Sequence, residues 1–170
     1  MSHETLKQLN EEFDELAKNK KLRAVVIGAE GPVFSAGHDL RELASASDSF
    51  RHEVFTKLNT LIGKIRILPV PVIAKVVSNF VSKSILTLSL LIKVHALAAA
   101  GGCQLVGACD IVLASDHASF STPGVTVGLF CSTPGVVVSR QVPAKIAMDM
   151  VRSLISLMFP FMAIFIVGNW

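Results

Sequence analysis

Residues 32–43 read Pro32-Val33-Phe34-Ser35-Ala36-Gly37-His38-Asp39-Leu40-Arg41-Glu42-Leu43, and the reading of the whole chain turns on them. A short apolar, partly β-branched run, Leu22 to Ile27, comes first and ends at Gly28. Such a run is expected to be a buried strand, paired in parallel. Gly37 then lets the chain reverse tightly, so the next backbone N–H, that of His38, can point outward without a partner. A second glycine turn, Ala100-Gly101-Gly102-Cys103-Gln104-Leu105-Val106, reads as the start of a helix. Gly101 and Gly102 allow a ligand atom close to the backbone, and a helix start adds free N–H groups and a positive dipole end. Two such N–H groups can hold one carbonyl oxygen as negative charge develops on it.

Working outward, residues 3–18 have the spacing of an amphipathic helix, with Leu6, Leu9, Phe13, Leu16 and Ala17 on one face and Ser2 as its cap. Residues 48–66 give a second, with Val54, Phe55, Leu58, Leu61, Ile62 and Ile65 together. Pro69 and Pro71 stop it, and Val70 to Val76 reads as another buried strand. Asp110 to Ala114 gives a third strand, and Ser139 to Val151 a further helix. Strands alternating with helices predict an α/β domain with parallel strands, with ligands at their carboxyl ends.

Composition narrows the chemistry. A chain of 170 residues suffices for one domain with a core. The formal net charge of +3 is too small to argue for nucleic acid or a membrane surface. Cys103, Cys109 and Cys131 have no metal-site or redox-motif spacing and are expected as reduced, buried cysteines. The five histidines form no metal-binding pair, so no metal site is expected. Ten of the thirteen acidic residues lie at or before Glu53; after it come only Asp110, Asp116 and Asp149. A mechanism needing two carboxylates from the second half therefore has few candidates, and Asp110 and Asp116 are expected to cap or turn the chain.

Four ordered blocks together carry a family resemblance. The first is the stretch quoted above. The second is Pro71-Val72-Ile73-Ala74-Lys75-Val76, resumed at Ala96-Leu97-Ala98-Ala99-Ala100-Gly101-Gly102-Cys103-Gln104-Leu105. The third is Cys109-Asp110-Ile111-Val112-Leu113-Ala114-Ser115, and the fourth Phe120-Ser121-Thr122-Pro123-Gly124 with Gly128, Pro134-Gly135 and Arg140. This pattern resembles the crotonase (enoyl-CoA hydratase/isomerase) superfamily. The resemblance implies a crotonase-like spiral of β-β-α units that binds acyl-coenzyme A, forms homo-trimers, serves fatty-acid and lipid metabolism, and is mitochondrial. It implies no cofactor, coenzyme A being part of the substrate. His38 and Gly101 match the two positions whose backbone N–H groups hold the thioester oxygen. Ser35, Ala36, Asp39 and Leu40 match the substrate-binding turn around them, and Arg41 the basic position near the coenzyme A nucleotide. Asp39 is expected to fix the turn.

The departures are as informative. Hydratases of this family place a glutamate just after the second glycine turn and another after the later proline, and this acid/base pair adds water across the double bond. Here Gln104 and Gly124 stand at those positions. Gln104 cannot transfer a proton at neutral pH, and Gly124 has no side chain. The expectation is an acyl-CoA binder with weak or no hydratase activity, a non-catalytic regulatory or trimer-forming member being the alternative. Residues 1–152 read as a partial family domain, with no mitochondrial presequence at Met1 and incomplete at both ends, so that parallel strands lose neighbours and expose edges. An apolar insertion at 77–94 splits the second block and leaves the placement of the Gly101 donor open. An uncharged apolar tail, 153–170, is just long enough to cross a bilayer core, although Pro160 interrupts it, so a membrane tether is a further alternative. Both segments are compatible with translated intron.

Overall fold

A computed structural model describes residues 1–76, 96–153, 157–158 and 163–166. The expected insertion at 77–94 lies outside the described residues.

Helix α1, His3–Lys18, begins where predicted: the Ser2 hydroxyl accepts from the Thr5 N–H, and Lys18 sits favourably in the last turn. It presents Leu6 and Phe13 to the core, whereas Ala17 lies in solvent. Strand β1, Val25–Gly28, leads to β2, Val33–Ser35, and the Gly37 turn then leads to α2, Leu40–Ala44, and α3, Asp48–Ile67. Helix α3 buries Val54, Leu58, Leu61, Ile62 and Ile65 as its period predicts. Phe55, assigned to the same face, is instead 41% exposed. Helices α1 and α3 pack together, pinned by Asn10, whose side-chain amide donates to the carbonyls of Leu6 (2.8 Å) and Lys57 (3.0 Å). Lys64 ties the same pair, reaching the Asn10 carbonyl and the Asp14 carboxylate at 2.9 and 2.7 Å.

Strand β3, Val72–Val76, is followed by β4, Leu97–Ala99, and α4, Gly101–Ala108. Then come β5, Ile111–Ala114, β6, Ser119–Ser121, a 3-10 turn at Pro123–Val127, α5, Ser132–Val138, and α6, Ala144–Arg152. Two short strands close the described chain, β7, Leu157–Met158, and β8, Ala163–Ile166. The strands sort into two sheets, ordered β1-β3-β5-β8 and β2-β4-β6-β7. Each pass of the chain gives one strand to each sheet: β1 and β2, then β3 and β4, then β5 and β6. Successive passes pair in parallel, Val25 opposite Val72 and Ile73 opposite Ile111 in one sheet, Leu97 opposite Ser119 in the other. This is a β-β-α spiral, and its helices cover the sheets.

Three expectations need correction. The strand predicted at 22–27 forms at 25–28 and is not fully buried. It is an edge strand, and Val26 is 59% exposed. The helix predicted at 139–151 forms only in its second part, as α6; residues 139–143 are a turn that follows the end of α5 at Val138. Pro143 lacks an N–H and disfavours helical geometry at Val142, so it keeps residues before it out of the helix and caps the start of α6. The apolar tail supplies strands in its described residues: β8 pairs antiparallel with β5, and β7 antiparallel with β6. They extend each sheet beyond β5 and β6, so among the described strands the edges are β1 and β8 in one sheet and β2 and β7 in the other. Among the described residues no helix is long and apolar enough to cross a membrane.

The core runs from α1 and α3 across the central strands to α4. Val72, Ala74 and Val76 of β3 are wholly buried, and α4 is buried on nearly all sides, as its lack of charge requires. Leu58 matters most to the site, because its Cδ2 lies 3.1 Å from where a Cβ on Gly101 would stand. Leu58→Ala is expected to destabilise the protein by roughly 2–5 kcal/mol through lost burial and the cavity left behind. Chemical denaturation of the two proteins measures it.

Candidate active site

The first glycine turn leaves β2 at its carboxyl end. Gly37 has φ 92°, a conformation open to glycine and strained for other residues. Its N–H donates to the Ser35 hydroxyl at 3.2 Å, and its carbonyl accepts from the Met1 ammonium. Asp39 then caps α2, its carboxylate accepting from the Arg41 N–H at 2.9 Å.

The second turn leaves β4 and opens α4. Ala100 has φ 49° and ψ −118°, unusual for a residue with a Cβ and costing on the order of 1–3 kcal/mol. Its N–H is anchored on the Ser121 carbonyl at 2.9 Å, and its carbonyl accepts from the Gln104 N–H at 3.0 Å. The next N–H, that of Gly101, is the first of the helix.

The two turns touch. A Cβ placed on Gly37 would lie 2.8 Å from Ala100 Cβ and 3.2 Å from the Gly101 nitrogen. A Cβ on Gly102 would stand 2.6 Å from both the Cβ and the carbonyl oxygen of Ser35. Gly37 and Gly102 therefore act as a zipper that lets β2 and the start of α4 meet without side chains between them. The separation in sequence does not keep the turns apart. Among the described residues neither the His38 N–H nor the Gly101 N–H has a hydrogen-bond acceptor.

Both turns open onto a cavity of about 390 Å³. Of the residues predicted from the sequence, Ala36, His38, Leu40, Gly101, Gln104 and Gly124 line it. Ser35, Asp39 and Arg41 do not. Ser35 packs behind the turn against Gly102, Asp39 is a helix cap, and Arg41 is exposed on α2. The cavity also gathers residues that the sequence did not assign to the site, among them Leu43, Phe55, Leu129, Phe130 and Cys131. Phe55 meets the His38 ring edge-on at 4.7 Å between centroids. That contact explains why an apolar α3 residue stays partly exposed. Phe130 is 70% exposed at the apolar rim.

Two buried polar atoms on residues that line the cavity are unsatisfied among the described residues. Gln104 is 2% exposed; its amide N–H donates to Asn59 Oδ1 at 3.2 Å, leaving Oε1 without a partner. His38 Nδ1 is buried without one as well. Burial holds the His38 imidazole below its ordinary value, outweighing the upward pull of Glu42. The folded state thus binds fewer protons than the unfolded chain, and stability rises with pH until the unfolded imidazole is neutral. Acidification from about pH 7.5 to about pH 5 is expected to lower the melting temperature of the wild type more than that of His38→Gln. Thermal melts of both across that range check the sign.

At the fourth block, Gly124 has little room for a side chain. Its Cβ would lie 2.6 Å from Cys131 Sγ and 2.7 Å from the Leu129 carbonyl oxygen. Asp110 is structural: its carboxylate accepts from the Val72 N–H at 2.8 Å, and its own N–H donates to the Val72 carbonyl at 2.8 Å. Asp116 lies 3.4 Å from His117 outside the cavity. Ser121 is buried under α4, where its carbonyl holds Ala100. Among the described residues no group of three His, Cys, Asp or Glu could hold a metal ion.

A β-β-α spiral with two glycine turns meeting over one cavity defines the class. The chain belongs to the enoyl-CoA hydratase/isomerase family, whose sequence model matches residues 1–81 and 84–156. Its described portion is a partial crotonase fold. The chain is similar to human enoyl-CoA hydratase domain-containing protein 3, mitochondrial, with 47% identity over 146 residues, or 85% of this chain and 42% of that protein. The crystal structure of human enoyl Coenzyme A hydratase domain-containing protein 3 superposes with a TM-score of 0.79 and 43% identity, covering 92% of this chain and 55% of that one. An enoyl-CoA hydratase from Mycobacterium smegmatis gives 0.78 and 38%, covering 93% and 55%. The chain therefore spans less than half the length of the curated human relative.

Proposed function

We propose that the chain binds acyl-CoA thioesters, with the carbonyl oxygen between the backbone N–H groups of His38 and Gly101, and hydrates enoyl-CoA weakly or not at all. The observation that carries this is the contact between the Gly37 and Ala100-Gly101 turns, with His38 and Gly101 both lining one cavity and both N–H groups unpaired among the described residues. Two donors converging on one oxygen favour a carbonyl that can accept negative charge, and a thioester is such a group. The apolar walls, from Leu40, Leu43, Phe55 and Leu129, suit an acyl chain. Arg41, exposed on α2 outside the cavity, is available to a nucleotide phosphate.

Weak hydration follows from the same cavity. Hydration needs a proton acceptor for water and a donor for carbon. Gln104 offers an amide oxygen, and Gly124 offers nothing. The proposed setting is lipid metabolism in the mitochondrion, in keeping with the naming of the human relative. Calorimetric titration with crotonyl-CoA beside a steady-state hydration assay tests the reading. Binding without ordinary turnover is expected. Ordinary turnover would refute the second half, and no binding the first.

A further inference from the structure

Hydration asks two groups of a site, a base for water and an acid for carbon, and Gln104 and Gly124 supply neither. Hydrolysis of a thioester asks less. One imidazole can take the proton from water and later return it to the departing group. Among the described residues the titratable side chains lining the cavity are His38 and Cys131. Cys131 is buried, and its Sγ accepts from the Gly124 N–H at 3.2 Å. His38 is only partly buried and stands against the second turn. Its ring carbon Cδ2 lies 3.6 Å from where a Gly101 Cβ would be, and Phe55 braces the ring edge-on at 4.7 Å between centroids. Cδ2 is bonded to Nε2, so that nitrogen shares one corner of the cavity with the two donor N–H groups.

The two ring nitrogens differ. Nδ1 is closed off inside the protein, whereas Nε2 is not and has no partner among the described residues. With its proton on Nδ1, the neutral ring offers a free lone pair at Nε2. The surroundings keep the ring neutral at physiological pH. Burial lowers its ionisation most, the Met1 ammonium lowers it further, and Glu42 of α2 opposes them. Helix α3 meets the ring through Phe55, and α4 carries no charged residue.

We propose that the chain hydrolyses acyl-CoA thioesters, with the His38 side chain as the base that activates water. The proposal rests on the acyl-CoA reading given above. In the step, the water oxygen bonds to the thioester carbon while Nε2 takes one of its protons. The C=O π pair moves onto the oxygen, held by the His38 and Gly101 N–H groups. The tetrahedral adduct then re-forms its C=O bond and breaks the C–S bond. That electron pair leaves with the coenzyme A sulfur, which takes the proton back from the imidazolium. The products are a carboxylic acid and free coenzyme A, and nothing is oxidised or reduced. Charge develops on the oxygen that the two N–H groups hold, so the donors serve this reaction directly. No C2=C3 bond is needed, and a saturated thioester is a substrate.

Incubation of the full chain with butyryl-CoA in ¹⁸O-labelled water tests this, with released thiol followed by a thiol-reactive dye and butyrate by mass spectrometry. Coenzyme A and singly labelled butyrate are expected in equal amounts. The rate should rise with pH and level off, with a midpoint below the value of about 6.5 of an ordinary imidazole. His38→Gln should lower it by about 10²–10⁴-fold. The levelling-off in the wild type identifies the imidazole even if that variant folds poorly, because attack by free hydroxide keeps rising with pH. Calorimetry with butyryl-CoA runs alongside. If butyryl-CoA binds but no thiol is released beyond the protein-free rate, or the rate does not level off, or folded His38→Gln hydrolyses as fast, the His38 hydrolysis is refuted and the acyl-CoA reading stands. If butyryl-CoA does not bind, both fall.

Discussion

Gly102→Ala is expected to lower stability and abolish acyl-CoA binding together, although it adds one methyl group to a helix. The helix itself would welcome alanine, which is a better helix former than glycine. The obstacle is across the contact. The new Cβ would stand 2.6 Å from the Ser35 Cβ, 2.6 Å from its carbonyl oxygen and 2.9 Å from its hydroxyl. The carbonyl belongs to β2, so no rotamer change relieves the clash, and either the strand or α4 must move. Overpacking of this kind costs typically 1–3 kcal/mol, about 2–4 °C of melting temperature per kcal/mol in a chain of this size. The movement also separates the two turns. Loss of one oxyanion donor costs roughly 2.7–4 kcal/mol of transition-state stabilisation, so any residual turnover should fall by about 10²–10³. Gly63→Ala is the comparison. Nothing lies within 4 Å of its Cβ, it sits inside α3, and alanine there is expected to stabilise by roughly 0.5–1 kcal/mol. Opposite signs for two glycine-to-alanine changes would separate contact from propensity; melts and crotonyl-CoA titrations of both variants provide the measurement.

Restoring the glutamates is expected to fail, and to fail unequally. Gln104→Glu keeps its shape and lines the cavity, but it returns one member of a pair that works together. Gly124→Glu is the larger perturbation. Its Cβ would meet Cys131 Sγ at 2.6 Å and the Leu129 carbonyl at 2.7 Å, so the 124–131 loop must rebuild before the carboxylate can reach anything. A positioned acid or base contributes about 10²–10⁴-fold. The double variant should gain far less than that over wild type in crotonyl-CoA hydration, and it should melt lower. A full gain would mean that only two side chains separate this site from a hydratase. The expected result places the difference in the backbone of the 124–131 loop as well.

The sequence carried a good part of this. Helices α1 and α3 have long apolar periods, and their ends are set by Ser2, Ser47 and the prolines after Ile67, all local signals. The Gly37 turn was legible because a glycine at positive φ is a backbone requirement that few residues meet. Strands β2, β4 and β6 were not, because three residues have no usable period. The exposure of Val26 was hidden for another reason: an apolar run looks the same at the edge of a sheet as in its centre. In the site, Gln104 and Gly124 stood out against the family pattern, but the crowding at Gly124 depends on Leu129 and Cys131 folding back over it. Phe55 and Cys131 reach the cavity from an apolar helix face and a helix start. Each reads locally as packing, and only the fold brings them beside His38 and Gly124.

The central claim is that one oxygen is held between two backbone N–H groups. An amide nitrogen–proton NMR titration with butyryl-CoA addresses it, because each N–H reports separately. Saturable downfield shifts of the His38 and Gly101 amide protons, with smaller changes elsewhere on α4, are expected. Binding of butyryl-CoA that leaves both resonances in place would contradict the account.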